Sequence, residues 1–252
     1  ATLVATPLSS LVVQKDGPIR TIGDLKGRKV GYSVGGFEDA VLGAMLATLE
    51  RRGGLANTLV VVTSDNGMDF PRAKATVYDA GIHVPLAVRW GQRVPGGRVL
   101  DDPMNLIDLT PTILESAGVP LPDDVRMSGR SLLGLLTSDV EGTVDPTRPP
   151  VLAGRERHSS SRWNNLGYPQ RAIRSGPYLY IRNFAPERWP AGSPRKYEAA
   201  GTLGPMHGGY HDIDAGPTLE VLTSRADDPY IHTYLHLAVA RQPAEELYDL
   251  RS

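Results

Sequence analysis

Leu59-Val60-Val61-Val62-Thr63-Ser64-Asp65-Asn66-Gly67 is the stretch whose reading decides the fold. Its β-branched run predicts a buried strand, and Asp-Asn-Gly at the end predicts a sharp turn. That turn leaves a carboxylate and an amide oxygen at the strand's C-terminal edge, where open α/β sheets place their chemistry. Oxygen donors of this kind suit a hard cation such as Ca²⁺ or Mg²⁺. Lys74, a short way downstream, could hold an anion beside such a cation. Asn-Gly is also a common turn dipeptide, so a plain loop is the competing reading of these residues alone.

The rest of the chain weighs against the plain loop. Lys74-Ala75-Thr76-Val77-Tyr78-Asp79-Ala80-Gly81-Ile82-His83-Val84-Pro85-Leu86 comes first, then Leu106-Ile107-Asp108-Leu109-Thr110-Pro111-Thr112-Ile113-Leu114. Gly129-Arg130-Ser131-Leu132-Leu133 and Glu246-Leu247-Tyr248-Asp249-Leu250 follow in the same order. This series resembles the C-terminal half of the sulfatase family, whose fold is alkaline-phosphatase-like α/β. Phe70-Pro71, Arg155-Glu156-Arg157-His158, Arg162-Trp163-Asn164-Asn165 and Tyr168-Pro169-Gln170-Arg171-Ala172-Ile173-Arg174 narrow the resemblance to the heparan N-sulfatase, or sulfamidase-like, branch and its bacterial relatives. The similarity runs from about Ala47 to the end of the chain.

The resemblance implies a fold and a set of roles. The expected fold class is α/β: a partial alkaline-phosphatase-like sheet over 47–140, then a C-terminal α+β subdomain over 141–252 with a small antiparallel sheet and a helix. Asp65 and Asn66 become Ca²⁺ ligands, and Lys74 becomes the catalytic lysine that bridges sulfate and nucleophile. Arg157, His158 and Arg171 become candidates for sugar or sulfate contacts. His83 is expected to pair or pack near the anion site. The implied substrates are sulfated sugars, as N- or O-sulfates.

One part of the chemistry has no source in these residues. Sulfatases use a formylglycine made from the Cys or Ser that opens a C/S-x-P-x-R motif, yet this chain has zero cysteines and no Ser-x-Pro-x-Arg. Val144-Asp145-Pro146-Thr147-Arg148 and Ser175-Gly176-Pro177-Tyr178-Leu179 are partial matches that read as proline turns. In the family the nucleophile, further metal carboxylates, a Lys and a His come from the N-terminal half. The chain alone is therefore expected to be inactive, with an incomplete Ca²⁺ site, and its missing partner is that N-terminal half.

Residues 1–46 have a different character. Ile22-Gly23-Asp24-Leu25-Lys26-Gly27-Arg28-Lys29-Val30-Gly31, followed by Gly35-Gly36-Phe37-Glu38-Asp39, resembles solute-binding proteins of ABC transporters, in particular the thiamine-pyrimidine-precursor type. Strands are expected at Ser9–Gln14 and Arg28–Ser33, and a helix at Glu38–Leu49. Ser33, Gly35 and Gly36 could face a ligand, or the glycines simply shape a turn. The alternative functions are therefore a solute-binding module and a non-catalytic fragment.

Composition excludes some classes. Lys plus Arg number 27 against 28 Asp plus Glu, so the formal charge of −1 gives no field for nucleic acid. No apolar run approaches a membrane span. Ala1 to Val12 lacks the charged start and apolar core of a signal peptide, which leaves localisation open; the resemblance implies periplasmic, secreted or lysosomal relatives. The 21 prolines and 27 glycines are unevenly spread, so Thr143–Pro150 and Phe184–Pro217 read as irregular. His207 with His211, and His232 with His236, have zinc-like spacing but no accompanying protease glutamate. Loop and surface roles are the competing reading.

Overall fold

The computed structural model describes residues 2–4, 37–120, 124–158, 162–198 and 201–251. The strands expected at Ser9–Gln14 and Arg28–Ser33, and the turn at Ser33, Gly35 and Gly36, lie outside the described residues. The chain divides into two units, Ala1–Ser64 with Val84–Pro149 and Asp65–His83 with Pro150–Ser252. The division falls inside the opening stretch, between Ser64 and Asp65, so the turn belongs to the second unit while the strand before it belongs to the first.

In the first unit, β1 (Thr2–Val4), β2 (Val60–Thr63) and β3 (Leu86–Arg89) form an antiparallel sheet in the order β1-β3-β2. The register sets Val61 opposite Val88 and Thr63 opposite Leu86. A buried strand was the expectation for β2, but Val60 and Val61 are half-buried while Val62 and Thr63 are exposed. The reason is position: β2 is an edge strand of a three-stranded sheet, so only one flank is covered. The apolar core instead gathers around β3, where Leu86, Val88 and Trp90 pack with Leu100, Leu132, Leu135 and Leu136.

The helix α1 covers Phe37–Arg51, a little longer than the expected Glu38–Leu49. A 3₁₀ turn at Leu106–Asp108 leads into α3 (Leu109–Ser116). Pro111 sits in the first turn of α3, where its missing N–H costs no helix bond. Gly118 ends the helix at φ +68°. Asp108 accepts from the Asn105 and Arg130 amides at 3.0 and 2.8 Å and from Arg148 Nη2 at 2.7 Å. Thr112 Oγ1 donates to the Asp108 carbonyl at 2.6 Å and accepts from the Leu132 amide at 2.8 Å. Two quoted motifs are thus stapled together as scaffold, ahead of α4 (Leu133–Thr137).

The second unit is built on an antiparallel sheet of β4 (Val151–Arg155), β5 (Gln170–Ser175), β6 (Tyr178–Asn183) and β9 (Glu245–Asp249), in the order β4-β5-β6-β9. Its covered face carries Ala172, Leu179 and Ile181 against Val77 and Tyr78. Within the expected small antiparallel sheet, Arg171–Arg182 forms the β5–β6 hairpin. Two features differ from expectation. Phe184–Pro217 is not wholly irregular, because β7 (Arg195–Tyr197) and β8 (Leu203–Met206) pair within it around Gly201 at φ +78°. Two longer helices follow in place of one, α5 (Pro217–Ser224) and α6 (Pro229–Val239). Asp228 caps α6 by accepting from the Tyr230 amide at 3.0 Å. The short α2 (Asp79–Ile82) also belongs to this unit. No helix among the described residues is long and apolar enough to cross a membrane.

Candidate functional site

The turn after β2 is shaped by a close backbone approach. Gly67 N–H donates to the Gly81 carbonyl at 3.0 Å, and a Cβ on Gly67 would stand 2.0 Å from the Ala80 carbonyl oxygen. Glycine is required there by space alone. Asp65 beside it is exposed and Asn66 is half-buried. Among the described residues no group of three or more His, Asp or Glu side chains is placed to hold a metal ion. Two oxygens would fill a small part of the roughly six to eight positions that Ca²⁺ prefers. The donor set at this turn does not by itself fit the ion.

Lys74 sits between two strained residues. Arg72 and Ala75 have φ of 65° and 62°, a left-handed conformation that costs a non-glycine residue about 1–2 kcal/mol. Such strain persists only where the surroundings hold it, and here the anchors are visible. Arg72 lies with its guanidinium carbon 3.7 Å from the Tyr78 ring centroid and donates to the Leu237 carbonyl at 2.8 Å. The Ala75 carbonyl accepts from Arg155 Nη1. Between them, the Lys74 ammonium is clasped by Asp214 Oδ2 at 2.6 Å and Asp69 Oδ1 at 3.0 Å. The hydrogen bond to Asp214, then that to Asp69, raises the lysine pKa, so the group is held charged.

Lys74 also lines a small cavity with Arg155, Asp212, Gln170 and Tyr78. Its volume of about 20 Å³ has room for about one water molecule. Asp212 is buried and pairs with both Arg155 Nη2 at 2.5 Å and Arg162 Nη1 at 3.2 Å. Burial pulls both guanidinium pKa values down, and the Asp212 charge opposes that pull. Beside this triad runs a second buried network. Gln170 Nε2 donates to Asn183 Oδ1 at 2.7 Å, Asn183 Nδ2 to Glu246 Oε1 at 2.7 Å, and Tyr78 OH to Glu246 Oε2 at 3.1 Å. Tyr248 OH also donates to Glu246 Oε2. Burial pushes the Tyr78 hydroxyl far up and that of Tyr168 to about 12, so both stay protonated.

The remaining candidates are dispersed. His83 Nδ1 lies 3.1 Å from Asp79 Oδ2, and Arg174 Nε donates to the other Asp79 oxygen at 2.8 Å. Burial works to raise the Asp79 pKa, but the bonds from His83 and Arg174 prevail and lower it. Arg171 is half-exposed and paired with Glu156, and Arg157 is exposed and donates to Asn165 Oδ1. His158 is exposed, and its charge contributes to lowering the Asp214 pKa. Strand alternation explains the sorting. Arg155 pairs in register with Gln170, whose side chain is buried, whereas Arg171 points to the opposite face. The alternation in Gln170-Arg171-Ala172 was the signal that could have favoured Arg155 over Arg171. Nothing in the sequence marked Asp212. His232 and His236 lie one turn apart on α6 with ring centroids 6.2 Å apart, both exposed.

A sulfatase family model matches residues 36–119. Over these residues the chain is similar to the sulfatase family. The match begins just ahead of α1, upstream of the expected join near Ala47, and ends past the α3 stop. Human N-sulphoglucosamine sulphohydrolase is 31% identical over 166 residues, which cover 60% of this chain and 30% of the relative. An ulvan-active sulfatase of Formosa agariphila is 25% identical over 225 residues, 88% of this chain and 32% of the relative. The chain thus spans about a third of the length of these relatives. A protein solved in complex with its substrate D-glucosamine-2-N,6-O-disulfate aligns with a TM-score of 0.46 and 21% identity over 79% of this chain and 38% of that one.

Proposed function

We propose that this chain supplies the anion-holding side of a sulfatase centre for sulfated sugars, with Lys74 as the group that meets a sulfate oxygen. The observation that carries this reading is the clasp on Lys74, which keeps an ammonium charged at the wall of a cavity it shares with Arg155. Charge grows on sulfate oxygens as the ester or sulfamate bond breaks, and a preorganised cation lowers the cost of that growth. An entering sulfate has to displace one carboxylate. Asp69, with its side chain 70% exposed against 44% for Asp214, returns to water more easily.

On the same reading, Asp65 and Asn66 are this chain's share of a Ca²⁺ shell. Two ligands bind weakly, so the chain alone should hold Ca²⁺ no better than the millimolar range of open sites. Arg157, His158 and Arg171 stand as outer contacts to a sugar, and the His83–Asp79–Arg174 group braces α2. Sulfated glucosamine is the proposed substrate class, in keeping with the substrates named for two of the similar proteins. Formylglycine has no precursor here, since the chain has no cysteine and no Ser-x-Pro-x-Arg. The chain alone is therefore expected not to turn over N-sulfoglucosamine or an aryl sulfate.

The test joins Thr48–Ser252 behind the N-terminal half of a sulfamidase-like relative and compares Lys74→Ala with its parent on N-sulfoglucosamine. Loss of one preorganised charge contact typically costs about two to three orders of magnitude in rate. Turnover within about threefold of the parent, less than roughly 1 kcal/mol, overturns the role of Lys74.

A further inference from the structure

The second unit holds a larger cleft of about 250 Å³ that the Lys74 reading does not use. Its walls include Arg162, Arg188, Arg195, His211, Trp189 and Tyr197. Three arginines line it against one lining carboxylate, Glu187. Arg162 is tied to Asp212 and Arg188 lies 3.5 Å from Glu187, whereas Arg195 is the exposed residue of the three. Two aromatic side chains beside this charge supply the flat apolar surface and polar edge of a mixed binding site.

The cleft is built in advance of any ligand. The Trp189 carbonyl accepts from Arg162 Nη2, and the Trp189 ring lies 4.7 Å from the Arg241 guanidinium carbon. Gly192, at φ +101°, and Gly209 let two loops meet backbone to backbone. A Cβ on Gly192 would stand 2.7 Å from the Gly209 carbonyl, and one on Gly209 would stand 2.2 Å from the Ser193 carbonyl. The register between β7 and β8 shifts between Arg195 and Tyr197, and bulges of this kind re-aim side chains.

We infer that this cleft is a saccharide subsite that takes a single sugar ring bearing an acid group, sulfate or carboxylate. The volume falls below the roughly 300–1,000 Å³ of drug-sized sites, which suits one ring. Guanidinium forks match the planar pairing of carboxylate and sulfate-like oxygens, and Arg195 supplies the exposed fork. Trp189 and Tyr197 supply a face for the ring's C–H surface. The inference leans on the proposed function only for its choice of sugars, because binding here involves neither Lys74 nor catalysis.

The test follows the Trp189 indole N–H resonance of the full chain, assigned with Trp189→Phe, during titration with N-sulfoglucosamine, glucuronic acid, N-acetylglucosamine, inorganic sulfate and adenosine monophosphate. The expected result is saturable binding of one or both acidic sugars, with the sulfate and carboxylate arms showing which acid is preferred. Arg195→Ala should weaken that binding about tenfold, Arg195→Lys less, and Tyr197→Ala at least severalfold. Lys74→Ala should leave it within twofold, which separates failure here from failure of the catalytic reading. Equal binding of N-acetylglucosamine overturns the anionic character. Tighter binding of inorganic sulfate or adenosine monophosphate overturns the saccharide assignment, and absence of any shift at high millimolar ligand overturns the site.

Discussion

The two units differ in how their polar side chains are engaged. In the first, Asp102 accepts from the Val144 and Asp145 amides, Arg98 donates to the Leu136 and Val140 carbonyls, and Thr112 joins the Asp108 carbonyl to the Leu132 amide. In the second, side chains also bond one another: Asp212 with two arginines, Glu246 with two tyrosines and Asn183, Asp79 with His83 and Arg174, and Lys74 with two aspartates. A side chain spent on backbone pins a loop and has little left for a ligand. Charges that hold one another can exchange a partner for a substrate oxygen, so chemistry is expected in the second unit. The buried Arg148–Asp108 pair at 2.7 Å is such a contact in the first unit, and it rests on a carboxylate engaged with backbone amides.

The largest effect should come from Asp212. Replacing it with Ala leaves Arg155 and Arg162 buried without their shared counter-charge, a change that costs about 3–5 kcal/mol. The thermal midpoint should fall by on the order of 10 °C. Replacing all three residues with apolar ones of similar size should restore most of the loss. A drop of less than about 1 kcal/mol for Asp212→Ala would break the comparison, because the triad would then be incidental.

A smaller loss is expected in the first unit from Thr112→Val. The shape is kept, but the buried Leu132 amide loses its acceptor, at a cost of about 1–3 kcal/mol. This loss should be the same at pH 4 and pH 8, as no ionisable group is removed. Chemical denaturation at the two values checks it, and a pH-dependent loss would mean that Thr112 acts through the Asp108 carboxylate.

The smallest effect is acid sensitivity. In the second unit Asp79, Asp214, Asp228 and Asp249 have folded pKa values lowered below the ordinary 3.8, whereas among the described residues of the first unit the lowered carboxylate is Asp145. A lowered carboxylate contributes stability above its unfolded value, and that contribution is lost as pH falls through the folded value. Between about pH 5 and pH 2 the second unit should therefore weaken first. Fluorescence of Trp90 and Trp189, each as the sole tryptophan, follows the two units separately during denaturation. Coincident weakening of both would remove the electrostatic side of the comparison.

Some of this protein was legible one residue at a time. The β-branched run before Asp65 and the helix expected at Glu38–Leu49 depend on local sterics and period, which sequence carries directly. The resemblance to sulfatases was legible too, because the ordered motifs stand in the chain whatever their folded roles. What only the tertiary structure decided is which charges meet. Lys74 and Asp214, Arg155 and Asp212, and Tyr78 and Glu246 are far apart along the chain. Their pairing depends on the register of β4, β5, β6 and β9 and on where two loops close. Register also turned Arg171 outward and Arg155 inward, although both stand in arginine-rich motifs of similar appearance. A sequence records which residues are available for chemistry; a long-range pair is a property of the closed fold, since no local interaction fixes the distance between its members.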